Sequence, residues 1–451
     1  MFEIHPAAEE NINSKVGALV GEIKAIPMEQ HAPEKFGSDV HIETTITEKD
    51  IIGQLREAAS DYRGNTVARY FIFEGGRYGL EKESYRNLIE VAEKIQRMPA
   101  FQNRLSQEYI EEIIFGWIKD QFCGDLKDKS SFSSTLKKLS AESVKPVTVY
   151  VPIANMIVQR PFSFCNVIIC NITKTLIDEM AKVPETFEDE NNRKNAMAFL
   201  DRFRKEFQGY AAVRMELNCE AGFASDLAIM TAQKVTSFLS IYSGSVLTPD
   251  VKCISKIKGA ENLARFTTIS KSEDDGFSVT EGILDKSSMR HWRISESDLD
   301  HYAKCGLGIL SELSNKERPS EFELLILNAS TLYSKAAFTA EPLEKLVYVL
   351  SFLESTLLKS ENEPIQQNLA ERLAVFISQK LSERKAIVKS VKLVYGLRSK
   401  YLHHGHTSSE LEGIGEFLVY VWYFYTKLLR VSRAFKNKAQ FLEAIDDHKL
   451  G

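Results

Sequence analysis

The chain has 451 residues, 44% of them apolar and 26% charged, a length at which a single hydrophobic core stops growing and two or three domains are expected. That composition excludes a fibrous, collagen-like or wholly disordered chain. The formal net charge of −5 excludes a global positive field, so any polyanion site has to be a local basic patch.

The opening segment, MFEIHPAAEENINSK, has neither a basic n-region nor an apolar h-region and is not expected to be a secretory signal. Residues 1–127 read as a mixed α/β region: a strand over Ala68–Phe73, a turn over Glu74–Gly79, then two helices. The second, near Leu105–Gln121, carries Tyr109, Ile113, Ile114 and Trp117 at helical spacing. The serine- and lysine-rich stretch Lys127–Lys145 predicts a domain boundary.

From Pro146 the pattern changes to VTVYVPIANMIV and then FCNVIICNI, β-branched runs that predict strands of one sheet. A further strand over Ala211–Leu217 and a helix over Ala228–Leu239 make residues 146–290 an α+β region. Cys123, Cys165, Cys170, Cys219, Cys253 and Cys305 form no CxxC pair and no Cys/His ligand spacing. Free thiols in a reducing cytoplasm are therefore expected, rather than disulfides or a zinc site.

Residues 297–451 are a run of helix signals. Ser297 with Asp300 predicts a capping box ahead of Leu299, Tyr302, Ala303, Gly306, Leu307 and Leu310. Pro319, Pro342 and Pro364 each stand near the start of an apolar-periodic segment. Ser409 with Glu412 caps a last helix with Ile414, Leu418, Val421, Tyr425 and Leu428 on one face, so an up-and-down bundle is expected. The whole chain is thus α+β: a mixed N-terminal part followed by a helical bundle. Its longest apolar and aromatic run, Phe417–Tyr425, falls far short of the roughly 18 to 20 residues that cross a bilayer, so no membrane span is expected.

Two charged residues interrupt apolar stripes. On the helix from Ser382 to about His404, Ile387, Val391, Val394, Arg398 and Tyr401 follow at steps of four, three, four and three. On an earlier helix Leu343, Val347, Leu350, Glu354 and Leu357 repeat those steps. A guanidinium keeps its charge at neutral pH and must find a partner, a ligand or a wet cleft. One structural reading is an ion pair between Glu354 and Arg398.

Beyond Arg398 come Ser399, Lys400, His403, His404 and His406, with Gly405 a candidate helix C-cap. Histidines near a helix C-terminus can simply complement its dipole. No Asp, Glu or Cys stands at a paired ligand spacing beside them, so no metal cofactor is expected. The chain has no GxSxG elbow, and Gly306-Leu307-Gly308 lacks the third glycine of a dinucleotide loop. Lys380, Arg384, Lys385, Lys389, Lys392, Arg398 and Lys400 outweigh Glu383 on this helix, a local excess suited to phosphate.

The run LVYGLRSKYLHHG resembles the Arg-x4-6-His signature of HEPN domains, in the form of the Apea-like branch. The segment around Glu354, the LAERLAVFIS helix and the final aromatic helix come in the order of that branch, so the resemblance covers residues 297–451. It implies a domain that dimerises to bring two such motifs into one cleft, which in many members cleaves RNA without a metal. Arg398 and His403 match the catalytic positions, and His404 fits the longer spacing. Ser399 stands where many members have Asn, Asp or His. Glu354, Ser399 and His404 are auxiliary candidates, and Lys392 and Lys400 candidates for binding RNA. The partners implied are RNA and a second copy, with a trigger or antitoxin acting through residues 1–296, the 146–290 region being the sensor or regulator. An anti-phage or toxin role follows from the resemblance alone. The alternative is a non-catalytic HEPN scaffold that binds RNA, nucleotide or protein.

Overall fold

A computed structural model of the chain describes residues 2–26, 57–124, 130–261, 265–272, 276–283, 291–360, 362–404 and 411–450. Helix takes up 59% of the chain and strand 16%, so the protein is α+β as its sequence predicts. It divides into two units, residues 1–149, 174–206 and 216–228 in the first and 150–173, 207–215 and 229–451 in the second.

The first unit opens with α1 (Pro6–Val20), started by Pro6 and by His5, whose Nδ1 accepts from the Ala7 amide at 3.3 Å. A four-stranded antiparallel sheet follows in the order β1 (Lys24–Ala25), β4 (Gly76–Glu81), β3 (Thr66–Phe73), β2 (Ala58–Ser60). The turn expected over Glu74–Gly79 is only two residues long. Glu74 and Gly75 both take positive φ, 47° and 76°, as a tight hairpin needs, and pairing resumes at Phe73 with Gly76. Helices α2 (Lys82–Gln96) and α3 (Gln107–Cys123) bury Tyr85, Leu88, Ile110, Ile114 and Ile118 in the unit's core.

The predicted boundary Lys127–Lys145 is instead largely helix, α4 (Phe132–Ser143), N-capped by Ser131 and burying Phe132 and Leu136. Of the serines that suggested a loop, Ser131 supplies the cap, Ser134 faces solvent, and Ser133 and Ser140 are buried in the helix's packed face. Helices α5 (Lys174–Met180) and α6 (Glu190–Phe207) complete the first unit's share of the chain, apart from the start of α7 (Ala221–Ser240).

The middle of the chain forms no unit of its own, in contrast to the expected region 146–290, because strands β5 (Lys145–Pro152) and β9 (Ala211–Cys219) run from one unit into the other. Strands β6 (Met156–Val158), β7 (Phe162–Phe164) and β8 (Val167–Asn171) belong to the second unit. The sheet has the order β5-β9-β8-β7, and β6 departs from the single sheet expected. It pairs in parallel with β12 (Trp292–Ile294), Met156 opposite Trp292 and Val158 opposite Ile294. Strands β10 (Arg265–Ser272) and β11 (Gly276–Ile283) form a hairpin.

Eight helices complete the second unit: α8 (Glu296–Lys304), α9 (Leu307–Asn315), α10 (Glu321–Ala337), α11 (Pro342–Leu357), α12 (Ile365–Ile377), α13 (Leu381–His404), α14 (Leu411–Arg430) and α15 (Lys438–Leu450). The capping box lies two residues earlier than predicted, on Ser295 and Asp298, and Ser297 is inside α8. The expected single helix breaks at Gly306, whose φ of 97° favours glycine and whose added Cβ would stand 2.9 Å from Leu429 Cδ1. The core is aromatic: Tyr333 stacks on Phe352 with centroids 4.9 Å apart, and Phe424 and Tyr425 close around Phe352. Gly405, His406 and Ser409 lie outside the described residues.

Candidate functional site

Helix α13 packs against α11, α12 and α14. Its apolar stripe, Ile387, Val391, Val394 and Leu397, is buried, and this fixes the helix's rotation. That rotation turns Tyr395 and Arg398 toward the last turn of α11, where Glu354 stands. Glu354 Oε1 accepts from Arg398 Nη1 at 3.0 Å and from the Tyr395 hydroxyl at 2.7 Å. The side chains of Arg398 and Glu354 are each 23% exposed, which places the pair half in the bundle. Arg398 Nε is buried with no hydrogen-bond partner among the described residues. Burial first, and then the hydrogen bond to Glu354 and its charge, push the Tyr395 phenol far above its ordinary pKa, with Arg398 opposing.

His403 lies on the last turn of α13 and is exposed, as are Ser399, Lys392 and Lys400. The helix stays regular through His404. At about 100° per residue, Arg398 and His403 therefore point about 140° apart. One chain brings Arg398, Glu354 and Tyr395 together and leaves His403 on another face. The His404 side chain lies outside the described residues. Among the described residues no group of three His, Cys, Asp or Glu is placed to hold a metal, and no helix is long and apolar enough to cross a membrane.

Two buried cations of the same unit escaped sequence reasoning. Arg372 of α12 is 5% exposed and spends its donors inside the fold. Its Nη1 reaches Leu357 O at 2.7 Å and Glu363 at 2.9 Å, and its Nε reaches Asp446 of α15 at 2.9 Å. Lys345 of α11 is fully buried, and its Nζ donates to the carbonyls of Ser245, Thr248 and Val251 at 2.6–2.7 Å. Burial pushes its pKa down to about 7, with Asp250 opposing. Three carbonyls match the three N–H groups of an ammonium. Arg372 and Lys345 are thus satisfied by the fold, whereas Arg398 keeps donor capacity beyond its bond to Glu354.

Set against known protein families, curated proteins and solved structures, the chain matches no family model, no curated protein and no solved structure.

Proposed function

We propose that the helical part of the second unit is a HEPN-type, metal-independent endoribonuclease acting in the cytoplasm, as an effector of anti-phage defence or toxicity. One arrangement carries this reading: Glu354 holds Arg398 by Nη1 while the buried Nε has no partner among the described residues, on a helix whose last turn carries the exposed His403. A guanidinium so fixed is poised to take up charge on a phosphate. An imidazole can remove the proton of a ribose 2′-hydroxyl, which attacks phosphorus, and return a proton to the departing 5′-oxygen. The product is then a 2′,3′-cyclic phosphate.

The divergence of Arg398 and His403 on one regular helix means that a single chain does not offer both to one phosphate. The reading therefore requires a homodimer, with Arg398 and His403 drawn from two copies, and light scattering at micromolar concentration tests it. A strictly monomeric protein that still cleaves RNA sinks the composite site. The same divergence favours the second reading, a non-catalytic scaffold in which Arg398 and Glu354 serve packing. Incubating the purified protein with labelled RNA in EDTA separates the two: cyclic-phosphate ends, lost in Arg398→Ala and absent with DNA, support the nuclease, and intact RNA supports the scaffold. The first unit carries no part of this motif and is assigned a regulatory role, answering a trigger or an antitoxin.

A further inference from the structure

Lys385, Lys389, Lys392 and Lys400 are all exposed, and among the described residues none is paired with a carboxylate. On a regular helix Lys389, Lys392 and His403 each point within about 40° of Lys385, the four spanning about 60°, and Lys400 lies about 60° from Lys385. Glu383, the one acid of α13, points about 160° away from Lys385 and is bound to Ser378 and Lys380. Lys392 acts at a distance on Glu371 of α12, which is held by Lys449. Lysines three and four apart on one helix face repel each other, so this row works against the helix that carries it. The described fold gives this row no ion pair, and Glu371 opposes the repulsion only from a distance at Lys392. A ligand with regularly spaced negative charge would offset it along the whole row.

We infer that the sugar–phosphate backbone of single-stranded RNA lies along this face of α13, from Lys385 to His403. The row is about 27 Å long at 1.5 Å per residue. A straight helix of this kind does not fit the deep, narrow major groove of A-form RNA, whereas an unpaired strand can follow it. Gly396 and Ser399, on the same side of the helix, leave room for the strand to approach. The track passes His403 and not Arg398, which faces Glu354 on the other side of the helix. A strand bound to one copy thus brings a phosphate to that copy's imidazole and awaits the guanidinium of a second copy. This placement rests on the RNA reading above but not on cleavage.

The test is binding of the full chain to a labelled 2′-O-methyl single strand of about 20 nucleotides, which lacks the attacking hydroxyl, across a salt series. Four phosphate contacts predict a slope of log affinity against log salt near −2.8, and Lys385→Gln with Lys389→Gln should halve it to about −1.4. Both positions are exposed, so the double variant keeps its helical signal. An unchanged slope overturns the track, as does a duplex bound as tightly as the single strand. Polyglutamate competing as well as RNA overturns it in favour of an acidic protein partner. A chain that binds through this face and cleaves nothing supports the track and sinks the nuclease reading.

Discussion

Glu354 and Arg398 meet across α11 and α13 through a single carboxylate oxygen, which also receives the Tyr395 hydroxyl. Because both side chains are 23% exposed, the pair falls between a solvated ion pair and a buried one. A double-mutant cycle with Glu354→Gln and Arg398→Met should give a coupling of about 1–2 kcal/mol. Coupling under about 0.3 kcal/mol, the level of an exposed helix pair, would mean that Glu354 does not hold Arg398. Tyr395→Phe keeps the ring and removes one donor, and should cost about 1 kcal/mol or less.

The histidines should separate by activity. His403→Ala removes an exposed side chain at a helix end, so thermal unfolding should hardly move, while cleavage in EDTA falls about 10²- to 10⁴-fold. His406→Ala should matter least. Full activity in His403→Ala with loss in His404→Ala moves the proton-transfer role to His404; if neither matters, the assigned site is wrong.

Much of this geometry was legible in the sequence for a simple reason. Glu354 and Arg398 each occupy an apolar position at steps of three and four, so the pattern shows both the anomaly and its opposite charge. Arg372 breaks a stripe in the same way, three residues after Leu369 and three before Val375, but its partners are the last carbonyl of α11, a loop carboxylate and Asp446 on α15. Lys345 was hidden because α11 is buried on several sides, with Lys345, Val349, Phe352 and Thr356 forming a second stripe. Its partners are backbone carbonyls 94 to 100 residues earlier, and carbonyls leave no trace in a sequence. The parallel pairing of β6 with β12 likewise joins distant segments without a local signal. At α8 two overlapping Ser-x-x-Asp patterns compete, and the sequence does not rank them.

The Arg372 network should make stability depend on pH at the acid end. Burial raises the pKa values of Glu363 and Asp446, but the donors of Arg372, with the Lys359 amide on Glu363 and Lys359 Nζ on Asp446, outweigh it and hold both below their ordinary 4.5 and 3.8. Carboxylates lowered in the fold bind fewer protons there than in the unfolded chain. Their stabilisation is complete above the ordinary values and is lost as pH falls through the lowered ones. Resistance to denaturant should thus fall below about pH 4.5. Arg372→Met, which strips Glu363 of its guanidinium and leaves Asp446 with Lys359 alone, should cost about 3–5 kcal/mol at pH 7 and flatten that acid limb. A variant as acid-sensitive as the parent would show that the limb arises elsewhere.

Lys345 bears on where the helical part can be cut from the chain. The sequence places the start of the bundle at Ser297, and a fragment of residues 297–451 has every helix from α9 to α15. It lacks the carbonyls of Ser245, Thr248 and Val251, so the fully buried Lys345 would have no acceptors there. A buried ammonium without partners costs several kcal/mol or gives up its proton. A fragment of residues 229–451 retains all three carbonyls and should unfold at higher denaturant than 297–451. Lys345→Met supplies the decisive comparison. In the longer fragment it strands three carbonyls and should destabilise by about 2–4 kcal/mol, whereas in the shorter one it removes the stranded cation and should be neutral or stabilising. The sign of the substitution is thus expected to depend on the presence of residues 245–251, as read by helical circular dichroism in a urea series. Equal effects in both fragments would show that those carbonyls do not hold Lys345.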